Sequence, residues 1–426
     1  MGSRGGAHSP GAAATRADVA DPGSPTPSPA PVDATEPAEA APADPSSPVD
    51  AASSADAAAP ESYRFRLGNR PPLTGIRALA LFTVLTYHAN FKTLPGSWVA
   101  LQIFFVLSGF LITAMLAGEG QRNGRISLGA FYARRGVRLL PPLLLTVALL
   151  AAYAHFVDVA DAAHRLWGDS FAALFYYADY RQAFGHAPFF GYLAQTWSLS
   201  VEEQFYILWS LAMVAAVAVH KRRLAYGFAI VGMLASTADR LFLVYHAHHF
   251  DNVVFDRIYY AFDPRADALF LGCLLGMLAA DGYLHGWARW ARGLITVAAA
   301  GSAIFLCWIL LYAPLNTENL AVWWLPSTTV ASAIIIVYLV ICPASLGSKV
   351  VGLGFFVFIG DLSYTVYLIH FPVYLAIQQN ETGWAFWPNE LVRLAIIFAI
   401  AIASWFLIER PLTRWRQRSA AAHSAS

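Results

Sequence analysis

An arginine and a histidine stand eleven residues apart in the first apolar run of the chain, at Arg77 and His88. Eleven helical residues at about 100° each complete close to three turns, so both side chains share one face, roughly 16 Å apart along the axis. Ionisable groups within a membrane span usually face a bundle interior or a wet cavity, because lipid disfavours them. A neutral imidazole titrates near pH 6.5, at about the right point to take a proton from a hydroxyl. The spacing therefore predicts a base at His88 with a cation on the same helix face.

The composition indicates a membrane protein that would position these groups. Of its residues 57% are hydrophobic and 13% are charged, whereas a soluble domain carries about 25% charge. Ten apolar runs of roughly 17 to 25 residues are long enough to cross a bilayer. They lie near 73–91, 98–117, 138–156, 200–219, 225–245, 263–280, 293–313, 322–342, 357–378 and 391–409. The sequence predicts an all-α, polytopic membrane helix bundle of about ten transmembrane helices.

The ends of the chain differ from this bundle. Residues 1–62 consist largely of Ala, Pro, Ser and Asp, which predicts a disordered cytoplasmic tail. The transmembrane domain is expected over 63–415, followed by a short cytoplasmic tail over 416–426. The cysteines fall within apolar runs and show no metal-ligand spacing, so no metal site is predicted.

Basic residues concentrate on one side of the predicted spans. That side holds the cluster from Arg122 to Arg138 and the arginines after the last span, whereas the other side holds Lys92, Arg165, Arg181 and Arg257. The positive-inside rule then predicts a plasma-membrane protein with both termini in the cytoplasm. The preference for arginine over lysine, together with abundant alanine, hints at a GC-rich bacterial genome.

Several segments in order resemble the membrane acyltransferase-3 family, which O-acylates glycans, lipids and antibiotics. They are the Arg-x10-His of Arg77 and His88, FFVLSGFLI over 104–112, and FYARRGVRLLPPLLL over 131–145. Later segments resemble the family patterns WSL-x-x-E-x-x-F-Y, R-x-D-A-L-x-x-G, G-x-x-S-Y-x-x-Y-L-x-H and Glu-Arg-Pro. The likeness covers nearly all of residues 70–415.

The resemblance implies an integral membrane O-acyltransferase. It would move an acyl group, acetyl by default, from cytoplasmic acyl-CoA to a hydroxyl of a glycan, glycolipid or other glycosylated acceptor. His88 is the expected general base, with Arg77 near the path of the thioester and Glu202 as the matching acid of the WSL segment. Acyl-CoA, the acceptor and the bilayer are the expected partners, without nucleic acid or a permanently bound cofactor. Many relatives carry an extra esterase-like domain, so this chain is expected to act alone or with a separate partner.

The arginines at 134, 135 and 138 are the expected binding residues for the CoA phosphates. Two N–H donors of one guanidinium group can bind two oxygens of a phosphate. The alternative is that Arg134, Arg135 and Arg138 serve only as a topology signal.

Two adjacent carboxylates follow in TWSLSVEEQFYILW. Glu202 and Glu203 point about 100° apart on a helix and are not expected to face the same cavity. Both can alternatively be interfacial carboxylates favoured by the dipole of a helix N-terminus, which is the expectation for Glu203.

The segment DPRADALFLGCLLG adds Arg265, Gly272 and Gly276. Arg265 is predicted to bind an acceptor sugar or to pair with Glu202, and an ordinary structural ion pair is the alternative. The two glycines, four residues apart, predict close packing against another helix.

The segment GDLSYTVYLIHFPV places Ser363, Tyr367 and His370 on one helix face. Their polar groups are expected to meet one neighbouring element. Tyr367 and His370 are predicted to contact substrate, although a buried histidine can equally be a hydrogen-bonded structural group.

A transporter or flippase of a glycan or lipid intermediate is the competing class. Ten predicted spans with charged residues inside the membrane would suit a transporter. Transporters often consist of two related halves, however, and this sequence shows no convincing internal repeat. No Gly-rich nucleotide loop and no G-x-S-x-G elbow occur, which argues against an ATPase or a hydrolase. The alignment of Arg77 with His88 and the family-like segments decide for the enzyme.

Overall fold

The structure is a computed structural model that describes residues 70–90, 93–157, 160–185, 191–247, 249–287, 289–315, 317–378 and 382–416. The predicted tail over 1–62 and all but the first residue of the predicted tail over 416–426 lie outside these ranges. The described residues form helices joined by turns, and they include no strand. The all-α fold class is confirmed.

The helices are numbered in chain order. They are α1 Pro71–Ala89, α2 Val99–Asn123, α3 Leu128–Val157, α4 Ala160–Leu174, α5 Ala178–Phe184, α6 Trp197–Ala218, α7 Arg222–His246, α8 Asn252–Tyr260, α9 Ala266–Ala280, α10 Arg289–Tyr312, α11 Leu325–Ile341, α12 Leu346–Val351, α13 Gly354–Ala376 and α14 Phe386–Ser404. Short 3₁₀ turns, Ala194–Thr196 and Asp263–Arg265, lead into α6 and α9.

Eight helical segments among the described residues are long and apolar enough to cross a membrane. They are built on α2, α3, α6, α7, α10, α11, α13 and α14. Helices α1 and α9 are the other two predicted spans, and they fall outside this set. Helix α9 has 15 residues, fewer than the roughly 20 that a bilayer crossing needs. The predicted count of about ten is therefore approximate, and the chain is a multi-pass membrane protein.

A buried arginine explains how α7 tolerates charge within its span. Arg240 has no exposed surface. Its Nε donates to the Ala321 oxygen at 3.1 Å, and its Nη1 donates to the Pro264 oxygen at 2.7 Å. Its Nη2 pairs with Asp267 at 2.8 Å. Because the charge is both paired and hydrogen-bonded, burial is tolerable, and the pair ties α7 to the start of α9.

Small residues let α2 and α9 approach closely, as predicted from the spacing of Gly272 and Gly276. A Cβ on Gly276 would lie 2.7 Å from Cβ of Thr113, and one on Gly272 would overlap the backbone oxygen of Val106. Both neighbours belong to α2. The prediction of close helix packing at Gly272 and Gly276 is confirmed.

Helices α1 and α13 lie side by side in the same direction. Near their beginnings, a Cβ on Gly360 would overlap the backbone oxygen of Thr74. Toward their ends, His88 of α1 contacts His370 of α13. This parallel packing places the two histidines against each other although 282 positions separate them in the sequence.

Candidate active site

Two cavities with a shared wall lie among the described helices. The arginine-lined cavity has a volume of about 910 Å³. Its charged wall is formed by Arg77, Arg122, Arg134, Arg135, Arg138, Glu202 and Glu203. The aromatic cavity has a volume of about 160 Å³. Its rings are those of Tyr87, His88, Trp98, Trp197, Tyr259, Tyr260, Tyr367 and Phe371. Leu101 and Tyr367 line both cavities and form the shared wall.

Two of the predicted phosphate-binding arginines are paired with carboxylates. Nη2 of Arg134 lies 3.1 Å from Oε2 of Glu119. Arg135 pairs with Glu203, and its guanidinium carbon lies 3.7 Å from the centroid of the Tyr206 ring. These contacts hold both arginines in the cavity wall.

Arg77 and Arg138 line the same cavity but differ from Arg134 and Arg135 in their contacts. Neither side chain makes a hydrogen bond or an ion pair with another residue that the structure describes. Arg77 comes from α1 and Arg138 from α3. The cavity wall thus presents two guanidinium groups whose donors are available to an anionic ligand.

Glu202 takes part in a chain of hydroxyl contacts. Tyr206, one turn later in α6, donates to Oε2 of Glu202 at 3.2 Å, and its hydroxyl also contacts Oγ of Ser108 in α2. Both Glu202 and Glu203 line the arginine-lined cavity. The expectation that adjacent carboxylates could not share a cavity is wrong, because this cavity is wide enough to meet side chains that diverge by about 100°.

The two histidines are in direct contact. Nε2 of His370 lies 3.1 Å from Nδ1 of His88, and their ring centroids are 5.0 Å apart. Nδ1 of His88 also lies 3.1 Å from the oxygen of Val84. Nδ1 of His370 lies 2.6 Å from the oxygen of Tyr367. His88 lines the aromatic cavity, whereas His370 is fully buried and lines neither cavity.

Tyr367 is held at the shared wall by two hydrogen bonds. Its hydroxyl donates to the oxygen of Gln195 at 2.8 Å and lies 2.7 Å from Oγ of Ser198. Ser363, on the same stripe, instead bonds to Gly360 within its own helix. The expectation that this stripe meets one neighbouring element is wrong, because Tyr367 meets the start of α6 while His370 meets α1.

Arg265 lies behind the shared wall. Its side chain is 1% exposed, and none of its three nitrogens has a hydrogen-bond partner among the residues that the structure describes. Its guanidinium carbon lies 5.1 Å from the Tyr259 ring, 5.5 Å from Phe105 and 6.0 Å from Trp197. Within the described part of the chain, Arg265 forms neither the predicted pair with Glu202, which lies against Tyr206, nor another ion pair, because Asp267 of the same segment pairs with Arg240. Cation–π contacts are the interactions that hold this charge.

A hairpin of two short helices, α4 and α5, completes the arginine-lined cavity. Its turn carries Tyr176, which lines the cavity with a left-handed φ of 53°. Burial raises the pKa of Tyr176 to about 12. Next to the turn, Asp179 is fully buried and accepts a hydrogen bond from Gln204 at 2.9 Å. Burial raises the pKa of its carboxyl to about 7.

The predicted site residues divide into three groups. Arg77, Arg134, Arg135, Arg138, Glu202 and Tyr367 line the arginine-lined cavity; His88 and Tyr367 line the aromatic cavity; Arg265 and His370 line neither. Sequence reasoning missed Ser108 and Tyr176 as cavity residues. Ser108 had a signal, because it is the one polar residue of FFVLSGFLI.

Comparison with known proteins defines the class. The family model described as an acyltransferase domain matches residues 72–410. This match covers most of the chain, which therefore belongs to this acyltransferase family. The resemblance inferred from the motifs is confirmed: the chain is a multi-pass membrane protein of this acyltransferase family.

Curated relatives include several bacterial O-acetyltransferases. Peptidoglycan O-acetyltransferase OatA of Listeria monocytogenes is 28% identical over 358 residues, which cover 81% of this chain and 56% of the relative. A putative O-acetyltransferase of Staphylococcus aureus is 30% identical over 315 residues, covering 71% and 50%. The putative peptidoglycan O-acetyltransferase YrhL of Bacillus subtilis is 27% identical over 351 residues, covering 80% and 54%. The chain spans about half the length of these relatives, and no solved structure matches it.

Proposed function

We propose that the protein transfers an acetyl group from acetyl-CoA to a hydroxyl of a peptidoglycan-type glycan, with His88 as the general base. The observation that carries this proposal is the shared wall: His88 lines the aromatic cavity, which adjoins the arginine-lined cavity at Leu101 and Tyr367. Donor and acceptor would meet there. The acceptor class is suggested by the relatives from Listeria and Bacillus, which are named as a peptidoglycan O-acetyltransferase and a putative one.

The donor is assigned to the arginine-lined cavity by charge. Acetyl-CoA carries its negative charge on phosphates. A guanidinium group can bind a phosphate through two parallel hydrogen bonds. Arg138 and Arg77 have donors available, whereas the charges of Arg134 and Arg135 are balanced by Glu119 and Glu203. The thioester would extend from these arginines toward the shared wall.

The acceptor is assigned to the aromatic cavity by shape and polarity. A sugar has apolar ring faces and a rim of hydroxyls, which suits a small cavity with aromatic walls and a few convergent polar groups. The aromatic cavity combines rings such as Trp98 and Trp197 with the side-chain amides of Gln182 and Gln195. His88 stands among them as a proton acceptor.

The transfer then balances in one substitution. The acceptor hydroxyl oxygen forms a bond to the thioester carbonyl carbon, and the bond from that carbon to sulfur breaks. His88 takes the hydroxyl proton as the new bond forms and returns it to the leaving thiolate. The products are the acetyl ester of the glycan and CoA with a free thiol.

The orientation follows from the positive-inside rule. The arginine-rich end of the bundle, with Arg122 to Arg138, would face the cytoplasm, where acetyl-CoA is made. Both termini would then be cytoplasmic, and the aromatic cavity would belong to the outer half of the membrane, on the side of the cell wall.

Reconstitution tests the proposal. The purified protein in lipid nanodiscs receives radiolabelled acetyl-CoA and soluble peptidoglycan fragments, and label on the glycan is measured. His88→Ala should lower kcat by about 10²- to 10⁴-fold, whereas His246→Ala, an exposed histidine that lines neither cavity, should match the wild type. Acetyl transfer by His88→Ala at the wild-type rate would refute the role of His88 as the general base. In sealed proteoliposomes, translocation of a glycan lipid without acetylation would favour the transporter.

A further inference from the structure

The tautomer of His370 is fixed by its own helix. Nδ1 of His370 lies 2.6 Å from the backbone oxygen of Tyr367. A carbonyl oxygen accepts hydrogen bonds and never donates them, so Nδ1 carries the hydrogen. The lone pair of the neutral ring therefore lies on Nε2, the atom that points at His88.

The same reasoning fixes the tautomer of His88. Its Nδ1 lies 3.1 Å from the oxygen of Val84 and 3.1 Å from Nε2 of His370. Both neighbours are acceptors, so Nδ1 carries a hydrogen that the two share. The basic lone pair of neutral His88 is then on Nε2.

We infer that His370 is a positioning residue for His88: it fixes the ring orientation and leaves Nε2 as the proton acceptor. This inference rests on the proposed function. When Nε2 of His88 takes the hydroxyl proton, the ring becomes an imidazolium with hydrogens on both nitrogens. Its Nδ1–H then donates to His370 as a charge-assisted hydrogen bond, which is stronger than a neutral one. His370 keeps its own proton throughout.

A neutral partner suits this location. His370 has no exposed surface, and burying a full negative charge beside His88 would cost far more than burying a neutral imidazole. The partner stabilises the transient imidazolium without leaving a permanent charge in the bundle. The hydrogen bond to Tyr367 also couples His370 to the residue of the shared wall.

The position of His370 distinguishes this role from the substrate contact that the sequence predicted. It lines neither cavity, and the neighbouring Phe371 faces the aromatic cavity instead. The Phe371 ring packs edge-on against His88, with centroids 5.1 Å apart. His88 is thus held between an aromatic ring and a hydrogen-bond acceptor.

Two substitutions separate positioning from packing. His370→Gln can place its side-chain oxygen near the position of Nε2 and accept from His88, whereas His370→Met has a similar length and no strong acceptor. In nanodiscs with acetyl-CoA and soluble peptidoglycan fragments, we expect His370→Met to lower kcat by roughly 10²-fold with both KM values within about twofold. His370→Gln should recover about tenfold of that loss.

Equal kcat values for the Gln and Met variants, or a loss confined to KM, would overturn the inference. Nitrogen NMR of protein labelled with ¹⁵N-histidine gives a readout that does not need activity. The His88 signals, assigned by their absence in His88→Ala, should show a protonated Nδ1 and an unprotonated Nε2 in the wild type. The opposite tautomer would refute the positioning geometry even in an active enzyme. Transfer by His88→Ala would instead refute the proposed function.

Discussion

Arg135 of α3 and Glu203 of α6 form an ion pair in the wall of the arginine-lined cavity. The ion pair engages the carboxylate of Glu203, the residue next to Glu202 in the sequence. The guanidinium group of Arg135 also lies over the ring of Tyr206. Arg138, three residues along α3, has no such partner among the described residues. Arginines that are neighbours in the sequence therefore differ in their capacity to bind an anion.

Arg138→Gln should raise the KM for acetyl-CoA by about tenfold, because it removes a guanidinium whose donors are available to phosphate. The KM for the glycan should change little. Arg125→Gln is the matched control, since Arg125 belongs to the same basic region, is exposed and does not line the cavity. Steady-state kinetics in nanodiscs measure both values. An equal effect of the two substitutions would mean that only overall charge matters.

Leu101→Ala should relax the selection for a short acyl group. Leu101 lies at the shared wall and is 8% exposed, so its truncation leaves space between the two cavities. We expect the ratio of butyryl to acetyl transfer to rise about tenfold over the wild type. Leu144→Ala, at a position that is 52% exposed on α3, should leave the ratio unchanged. A ratio that stays constant in Leu101→Ala would remove this wall from acyl selection.

Asp179→Asn should stabilise the protein at high pH and not at low pH. Burial raises the pKa of the Asp179 carboxyl from 3.8 to about 7, and α5 lies outside the segments that could span the membrane. Between these values the folded protein holds a proton that the unfolded chain releases, so stability falls as pH rises through this window. Above pH 7 the whole penalty remains.

Asparagine does not titrate, and its oxygen can still accept from Gln204. The thermal unfolding temperature of Asp179→Asn should therefore exceed that of the wild type at pH 8, while the two should agree near pH 4. The measurement is a pair of melting curves in detergent. A difference that is the same at both pH values would show that the carboxyl does not titrate in this range.

Gly272→Ala should destabilise the protein by roughly 1–3 kcal/mol, because the added methyl group would overlap the backbone of α2. Gly301→Ala is the matched control in α10. Nothing lies within 4 Å of a Cβ at that position, so the better helix former should be neutral or stabilising by about 1 kcal/mol. Thermal unfolding compares the two. A Gly272→Ala protein as stable as the control would mean that α2 and α9 can separate at little cost.

Local pattern was enough to predict much of the fold. Apolar run length and the glycine spacing at Gly272 and Gly276 depend on neighbours along the chain, which a sequence displays directly. The span count came out approximate because burial within a bundle lets a short helix such as α9 contribute to the core.

The site was harder to predict, because its contacts join distant parts of the chain. Arg77 and His88 were found from their spacing on one helix. Nothing in the sequence, however, indicates that His370 meets His88, or that Asp267 selects Arg240 over Arg265. Tyr176 enters the cavity through the α4–α5 hairpin, whose direction depends on tertiary packing. Residue types were therefore predictable, and partners were not.

The shared wall has an electrical consequence. Where the two cavities meet, the side chains of Leu101 and Tyr367 face both of them. With the orientation proposed above, part of the voltage across the membrane would fall over this wall. A passage wide enough for an acetyl group must still hold back protons and sodium ions. Tyr367, with its hydrogen-bonded hydroxyl, and the apolar Leu101 would then block the passage of ions. Each turnover would have to leave the electrochemical gradient of the membrane intact.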